Sequence, residues 1–149
     1  MKQLVLVSLF VVFSTSTLNT VFSADMATKT GVAVIGPDFD DDGTPDVLIG
    51  AYSGGAGPTY GGAVYLLLGP ATTGGSLSSA DATWEGLDSL SHFGTSLAVT
   101  GDLDGDGVDD FATGASRDDT AASAAGAVYV LRGPVATTPT TASAAVWTG

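Results

Sequence analysis

DLDGDGVDD, residues 102–110, decides how the rest of the chain is read. Asp102, Asp104, Asp106 and Asp110 stand at positions 1, 3, 5 and 9 of this stretch, with Gly107 at position 6. Four like charges so close together repel one another, and a fold gains nothing by collecting them unless a cation removes the conflict. Ca²⁺ accepts six to eight hard oxygen ligands in a flexible geometry, and alternate carboxylates plus a backbone carbonyl supply most of them. Gly107 allows the positive φ that a sharp turn around an ion requires. The pattern recurs as DFDDDGTPD, residues 38–46, with Asp38, Asp40, Asp42 and Asp46 at the same positions and Gly43 at position 6. Two loops of one design predict two Ca²⁺ sites.

The rest of the composition agrees with a local ligand. The 149 residues include 16 acidic and four basic ones, for a formal net charge of −12, while 44% are hydrophobic. Ten of the 16 acidic residues lie in the two loops, Asp41 and Asp109 among them. Lys2, Lys29, Arg117 and Arg132 are the whole basic complement, too few to follow a phosphate backbone, so nucleic acid is excluded as a partner. The absence of Cys excludes disulfides and thiolate metal sites.

The N-terminus reads as a secretory leader. Lys2 supplies a positive start, residues 4–13 are apolar apart from Ser8, and Val21 and Ser23 are small enough for the −3 and −1 positions of a cleavage site. The apolar run is too short for a stable membrane span. Cleavage near Ser23 would leave about 126 residues and deliver them to a secreted or cell-surface location, where Ca²⁺ is plentiful.

An internal repeat organises what remains. The acidic loops begin at residues 38 and 102, GAVYLLLGP and GAVYVLRGP at residues 62 and 126, each pair 64 residues apart. TWEG at residue 83 and VWTG at residue 146 are one residue out of that register. The expected organisation is a leader over residues 1–23 and two units over 24–86 and 87–149. Each unit carries four strand signals: residues 32–36, 47–51, 63–68 and around Trp84 in the first, 96–100, 111–115, 127–132 and around Trp147 in the second. Ala63, Tyr65 and Leu67 alternate with Val64, Leu66 and Leu68, so that strand is apolar on both faces and needs a layer on each side. The segments 71–83 and 135–145 read as polar surface loops, and the two Trp as core residues by their repeat positions.

These residues resemble the FG-GAP repeat of integrin α-subunit β-propellers. Phe93-Gly94, the loop from Asp102, Gly114-Ala115 and Gly126-Ala127-Val128-Tyr129 follow the family order. The first unit matches over residues 38–70 but has Lys29, Thr30 and Gly31 in place of Phe-Gly, and Tyr52 and Ser116 replace the Pro of Gly-Ala-Pro. The resemblance implies an all-β fold, two four-stranded antiparallel blades of a β-propeller. It also implies Ca²⁺ held by Asp38, Asp40, Asp42 and Asp46 with the Thr44 carbonyl, and by Asp102, Asp104, Asp106 and Asp110 with the Val108 carbonyl, leaving Asp41 and Asp109 facing water. An EF-hand is excluded because position 12 is Ile49 or Thr113, inside strand signals.

Propellers close with about four to eight blades, so two units are a partial propeller, a fragment of a longer one, an assembly of copies or an open sandwich. Two blades leave apolar sheet faces uncovered, and self-association through them is expected. The function this implies is a secreted calcium-binding module for adhesion or recognition, with an extracellular protein or glycan as partner. The alternative is a non-catalytic part of a secreted hydrolase or lyase. Catalysis by the chain itself is not expected: Glu85 is its one Glu, and His92, its one His, adjoins Phe93-Gly94 in a turn.

Overall fold

The computed structural model describes residues 31–54, 59–70, 77–133 and 145–148. The leader segment and parts of both polar connections lie outside the described residues. Among the described residues, eight strands form two four-stranded antiparallel sheets. The first is a meander of β1 (Gly31–Ile35), β2 (Val47–Ala51), β3 (Ala63–Leu67) and β4 (Ala82–Glu85). The second repeats it with β5 (Phe93–Gly101), β6 (Asp110–Ala115), β7 (Ala127–Leu131) and β8 (Ala145–Thr148). The chain is all-β, with no α-helix among the described residues, as the repeat predicts. VLIGA, AVYLL and AVYVL form strands because β-branched and aromatic side chains pack well on a pleated surface.

Several boundaries differ from the sequence reading: β1 covers Gly31–Ile35 rather than 32–36, β3 stops at Leu67 rather than 68, and β6 begins at Asp110 rather than 111. β5 begins at Phe93 rather than residue 96 and reaches Gly101, with pairing irregularities between Phe93 and Ser96 and between Val99 and Gly101. β7 stops at Leu131, leaving Arg132 outside it. The polar connection after β3 contains a turn of 3₁₀ helix at Leu77–Ser79 whose Leu77 is buried, so part of it serves the core and not the surface.

One face of each sheet meets the other. Leu48, Val64, Leu66 and Trp84 of the first sheet, with Phe39 from the first acidic loop, form one core with Phe93, Phe111, Tyr129 and Leu131 of the second. Phe111 is its centre: Phe39 and Trp84 meet its ring edge-on at centroid distances of 5.7 and 4.9 Å, a favoured arrangement for aromatic quadrupoles. Phe93 and Tyr129 form a further T-shaped pair at 5.2 Å. The opposite face of the first sheet is also buried, with Val47, Ile49, Ala51, Ala63, Tyr65 and Leu77 in a second cluster. The apolar character of β3 on both sides is thereby accounted for. The outer face of the second sheet is different. Val128 and its cross-strand partner Trp147 are exposed there, so Trp147 does not fill the core as its repeat position implied.

The sheets approach most closely at the Phe93-Gly94 step. The Phe93 N–H donates to the Gly61 carbonyl at 2.9 Å, and Phe93 bridges Gly62. A Cβ on Gly50 would lie 2.4 Å from the Gly94 carbonyl oxygen, and one on Gly94 2.5 Å from that of Ala63. Both obstacles are backbone, which cannot swing aside. The repeat counterpart of Gly50 is Gly114, where a Cβ would meet only the Ser96 hydroxyl, the mobile end of a side chain.

The β6–β7 connection is secured by Asp118, which is buried and accepts hydrogen bonds from the Thr120 N–H at 3.0 Å and from the Tyr129 hydroxyl. Burial pushes this carboxyl up, but the Thr120 and Tyr129 hydrogen bonds together hold it below its usual range. Burial and the Asp118 charge push the Tyr129 hydroxyl well up, so it remains a donor.

Two outcomes follow for stability. Gly50→Ala should cost about 1–3 kcal/mol by forcing the sheets apart, whereas Gly114→Ala should change stability by less than about 1 kcal/mol. Equal melting shifts for the two variants would refute this account of the junction. Tyr129→Phe should cost about 1–3 kcal/mol near neutral pH by removing a donor from a buried carboxylate. Because Asp118 titrates lower in the folded state, its contribution is complete above the unfolded carboxyl value of about 3.9 and is lost as pH falls through the folded one. The gap between wild type and Tyr129→Phe should therefore narrow below about pH 4 in urea denaturation series.

Candidate metal sites in the acidic loops

Each acidic loop joins the first two strands of its sheet, and its turn is made by residues in the left-handed region. Position 6 is Gly43 in one loop (φ 84°) and Gly107 in the other (φ 94°). Position 4 also takes positive φ, at Asp41 (57°) and Gly105 (82°). Glycine adopts this conformation freely, while aspartate does so at a modest cost. The first carboxylate of each loop gathers the turn's N–H groups. Asp38 accepts from Asp42 (3.1 Å) and Gly43 (2.8 Å). Asp102 accepts from Gly105 (2.6 Å), Asp106 (3.1 Å) and Gly107 (2.9 Å).

This geometry brings three carboxylates together in each loop. Oxygens of Asp38, Asp40 and Asp42 lie within 4.8 Å of one another, as do those of Asp102, Asp104 and Asp106. The donors are all oxygen, mostly exposed and anionic, which suits a hard divalent cation and not a soft one. The electrostatics register the crowding. Partial desolvation, then the charges of Asp42, Asp46 and Asp38, push the Asp40 carboxyl up. The Thr44 hydroxyl and N–H hold Asp42 down, and the Gly107 N–H leads the donors that hold Asp102 down against desolvation. Arg132 stands 3.5 Å from Asp104, an exposed ion pair that a bound cation could displace at little cost.

Position 9 is used differently. Asp46 and Asp110 are fully buried, and neither belongs to its loop's trio of carboxylates. Asp46 accepts from the Phe39 N–H (2.6 Å) and the Gly69 N–H (2.7 Å). Asp110 accepts from Leu103 (2.9 Å) and Gly133 (2.9 Å). These carboxylates tie the entry of each loop to the Gly-Pro step that follows the third strand. Glycine is needed at that step: a Cβ on Gly69 would lie 2.7 Å from the Pro45 carbonyl oxygen, and one on Gly133 2.7 Å from that of Asp109. The spacing of the acids alone could not reveal this second task, because the donors Gly69 and Gly133 lie 23 residues away.

At position 7, the Thr44 and Val108 N–H groups donate to Asp42 (2.7 Å) and Asp106 (2.9 Å). Asp41 is exposed as expected, and Asp109 is half-buried. His92 packs its ring against Tyr52, 5.4 Å between centroids, at a positive φ of 57°. Asp118 was missed by the sequence reading, having no counterpart in the first unit, where Gly54 stands.

The FG-GAP repeat model matches residues 30–67 and 93–131, more than half of the chain. Integrin alpha-PS2 of Drosophila melanogaster is 35% identical over 114 residues, 69% of this chain and 8% of that protein. Human integrin alpha-7 is 36% identical over 96 residues, 59% of this chain and 7% of that protein. Mouse phosphatidylinositol-glycan-specific phospholipase D is 41% identical over 78 residues, 52% of this chain and 9% of that protein. The chain thus spans less than a tenth of the length of each of these relatives. Matched repeats, paired four-stranded sheets and similarity to integrin α-subunits agree: the chain belongs to the FG-GAP repeat family, and its two sheets are β-propeller blades.

Proposed function

We propose that the chain is a secreted calcium-binding recognition module in which two Ca²⁺ ions set the shape of the acidic loops. The observation that carries this reading is the pair of three-carboxylate clusters at equivalent places in the two blades. Asp38, Asp40 and Asp42 in one loop, and Asp102, Asp104 and Asp106 in the other, are the side-chain ligands closest to hand. Asp46 and Asp110, with the Thr44 and Val108 carbonyls, complete each set. A carboxylate oxygen that accepts one N–H retains a lone pair, so the position-9 residues can brace and ligate together. Secretion rests on the leader-like residues 1–23, with blade units over residues 24–86 and 87–149. No described helix is long and apolar enough to cross a membrane. The partner is an extracellular protein or glycan, and the chain is not itself a catalyst. Similarity to a phospholipase D keeps open a place beside a hydrolase, as a non-catalytic part.

Calorimetry should find two Ca²⁺ per chain with dissociation constants of about 10⁻⁴–10⁻³ M, the range of extracellular modules. At tenfold excess over the dissociation constant each site should add about 1.4 kcal/mol to stability. A melting temperature indifferent to chelator would remove the basis of the proposal.

The second loop should bind more tightly. Gly105 occupies the left-handed position that strains Asp41, and Asp102 gathers three N–H donors where Asp38 gathers two. Asp106→Ala should abolish the tighter phase of Ca²⁺ uptake and Asp42→Ala the weaker one. The reverse assignment would show that the charge of Asp41 outweighs its strain.

A further inference from the structure

The two acidic loops match in their aspartates but differ in one neighbour. In each, the buried position-9 carboxylate accepts from the glycine that follows the third strand, Gly69 at 2.7 Å in the first unit and Gly133 at 2.9 Å in the second. That bond fixes the residue just before the glycine beside the loop. In the first unit this residue is Leu68, half-buried against the core shared by the sheets. In the second it is Arg132, with a side chain that is 67% exposed and a guanidinium Nε 3.5 Å from Asp104. Asp40 is the counterpart of Asp104, and among the described residues no basic side chain stands within ion-pair distance of it.

We infer, on the calcium reading proposed above, that Arg132 is the residue that sets the cation affinity of the second loop, acting as a tethered positive charge that an arriving Ca²⁺ must displace. Each loop carries five aspartates, so Arg132 leaves the second with a net charge of −4 against −5 in the first. A guanidinium is charged at every physiological pH and cannot withdraw by losing its proton. Its backbone is tied to the loop through Gly133, so a displaced Arg132 stays close to the ion and repels it. An exposed ion pair contributes little to folding, which places the consequence of this one on binding. Gly105 and the three donors to Asp102 favour the second loop, and Arg132 opposes them. The difference in affinity between the two sites is therefore smaller than the backbone alone would make it.

Calorimetric titration of the full-length protein with Ca²⁺ at low ionic strength tests this, the second-loop phase being the one that Asp106→Ala removes. Arg132→Gln should tighten that phase about two- to fivefold, the scale of an exposed ion pair. Arg132→Glu should tighten it further, Arg132→Lys should leave it as in the wild type, and none of the three should move the first-loop phase. In about 1 M salt, where the screening length falls to about 3 Å, the variants should converge. A packing role for Arg132 would follow neither the charge series nor the salt. An unchanged or weakened second phase in Arg132→Gln would overturn the inference, as would Arg132→Lys behaving like Arg132→Gln, or equal shifts in both phases. Those results leave the two calcium sites standing. Absence of Ca²⁺ uptake by wild type and variants alike would instead remove the calcium reading, and this inference with it.

Discussion

Two peptide planes in contact, Gly50 beneath the Gly94 carbonyl, set the distance between the sheets. A methyl group at either position would intervene between backbone atoms that have no rotamer in which to yield. Close approach lets Phe39, Phe111 and Trp84 interlock edge to face, and lets the Phe93 N–H reach the Gly61 carbonyl. Protein interiors are close-packed, so a separation enlarged by one methyl would loosen every contact in that layer. The glycines here conserve distance and not flexibility.

The aspartates divide into two electrostatic roles. Asp46 and Asp110 are buried where an unpaired charge would be prohibitively costly, and two backbone donors each make them tolerable. They connect the loop entrance to the far end of the third strand. The trios at positions 1, 3 and 5 are held in proximity with their charges only partly offset by N–H groups. A rigid frame of buried carboxylates thus carries a cluster of exposed ones, an arrangement that suits a cation arriving from solvent. The push on the Asp40 carboxyl by its neighbours is the same repulsion expressed as a proton affinity.

Blade packing is directional. The first sheet receives Phe93-Gly94 on the face of Gly50 and Val64, and the second presents Phe111 and Tyr129 to that face. Val64 and Trp84 on that face are buried, while their repeat counterparts Val128 and Trp147 are exposed. Sequence similarity between the two units therefore coexists with opposite burial of equivalent residues. A repeat acquires its environment from its neighbours and not from its own composition.

Much was legible without coordinates. Eight strands, their pairing into two units and the positions of the acidic loops follow from apolar alternation, Gly-Pro punctuation and the 64-residue repeat, all of them local signals. The clustering of Asp38, Asp40 and Asp42, and of Asp102, Asp104 and Asp106, follows too, because residues two apart in a tight turn cannot separate far. What the tertiary structure alone decided involves partners distant in sequence. It turned Trp147 outward while Trp84 went in, because only one of them has a sheet beneath it. It gave Asp46 and Asp110 donors 23 residues away, and it joined Asp118 to Tyr129, where the first unit has Gly54 in place of the carboxylate. Local chemistry determines which segments become strands and which become loops; which face is covered depends on what packs against it, and no single repeat encodes that.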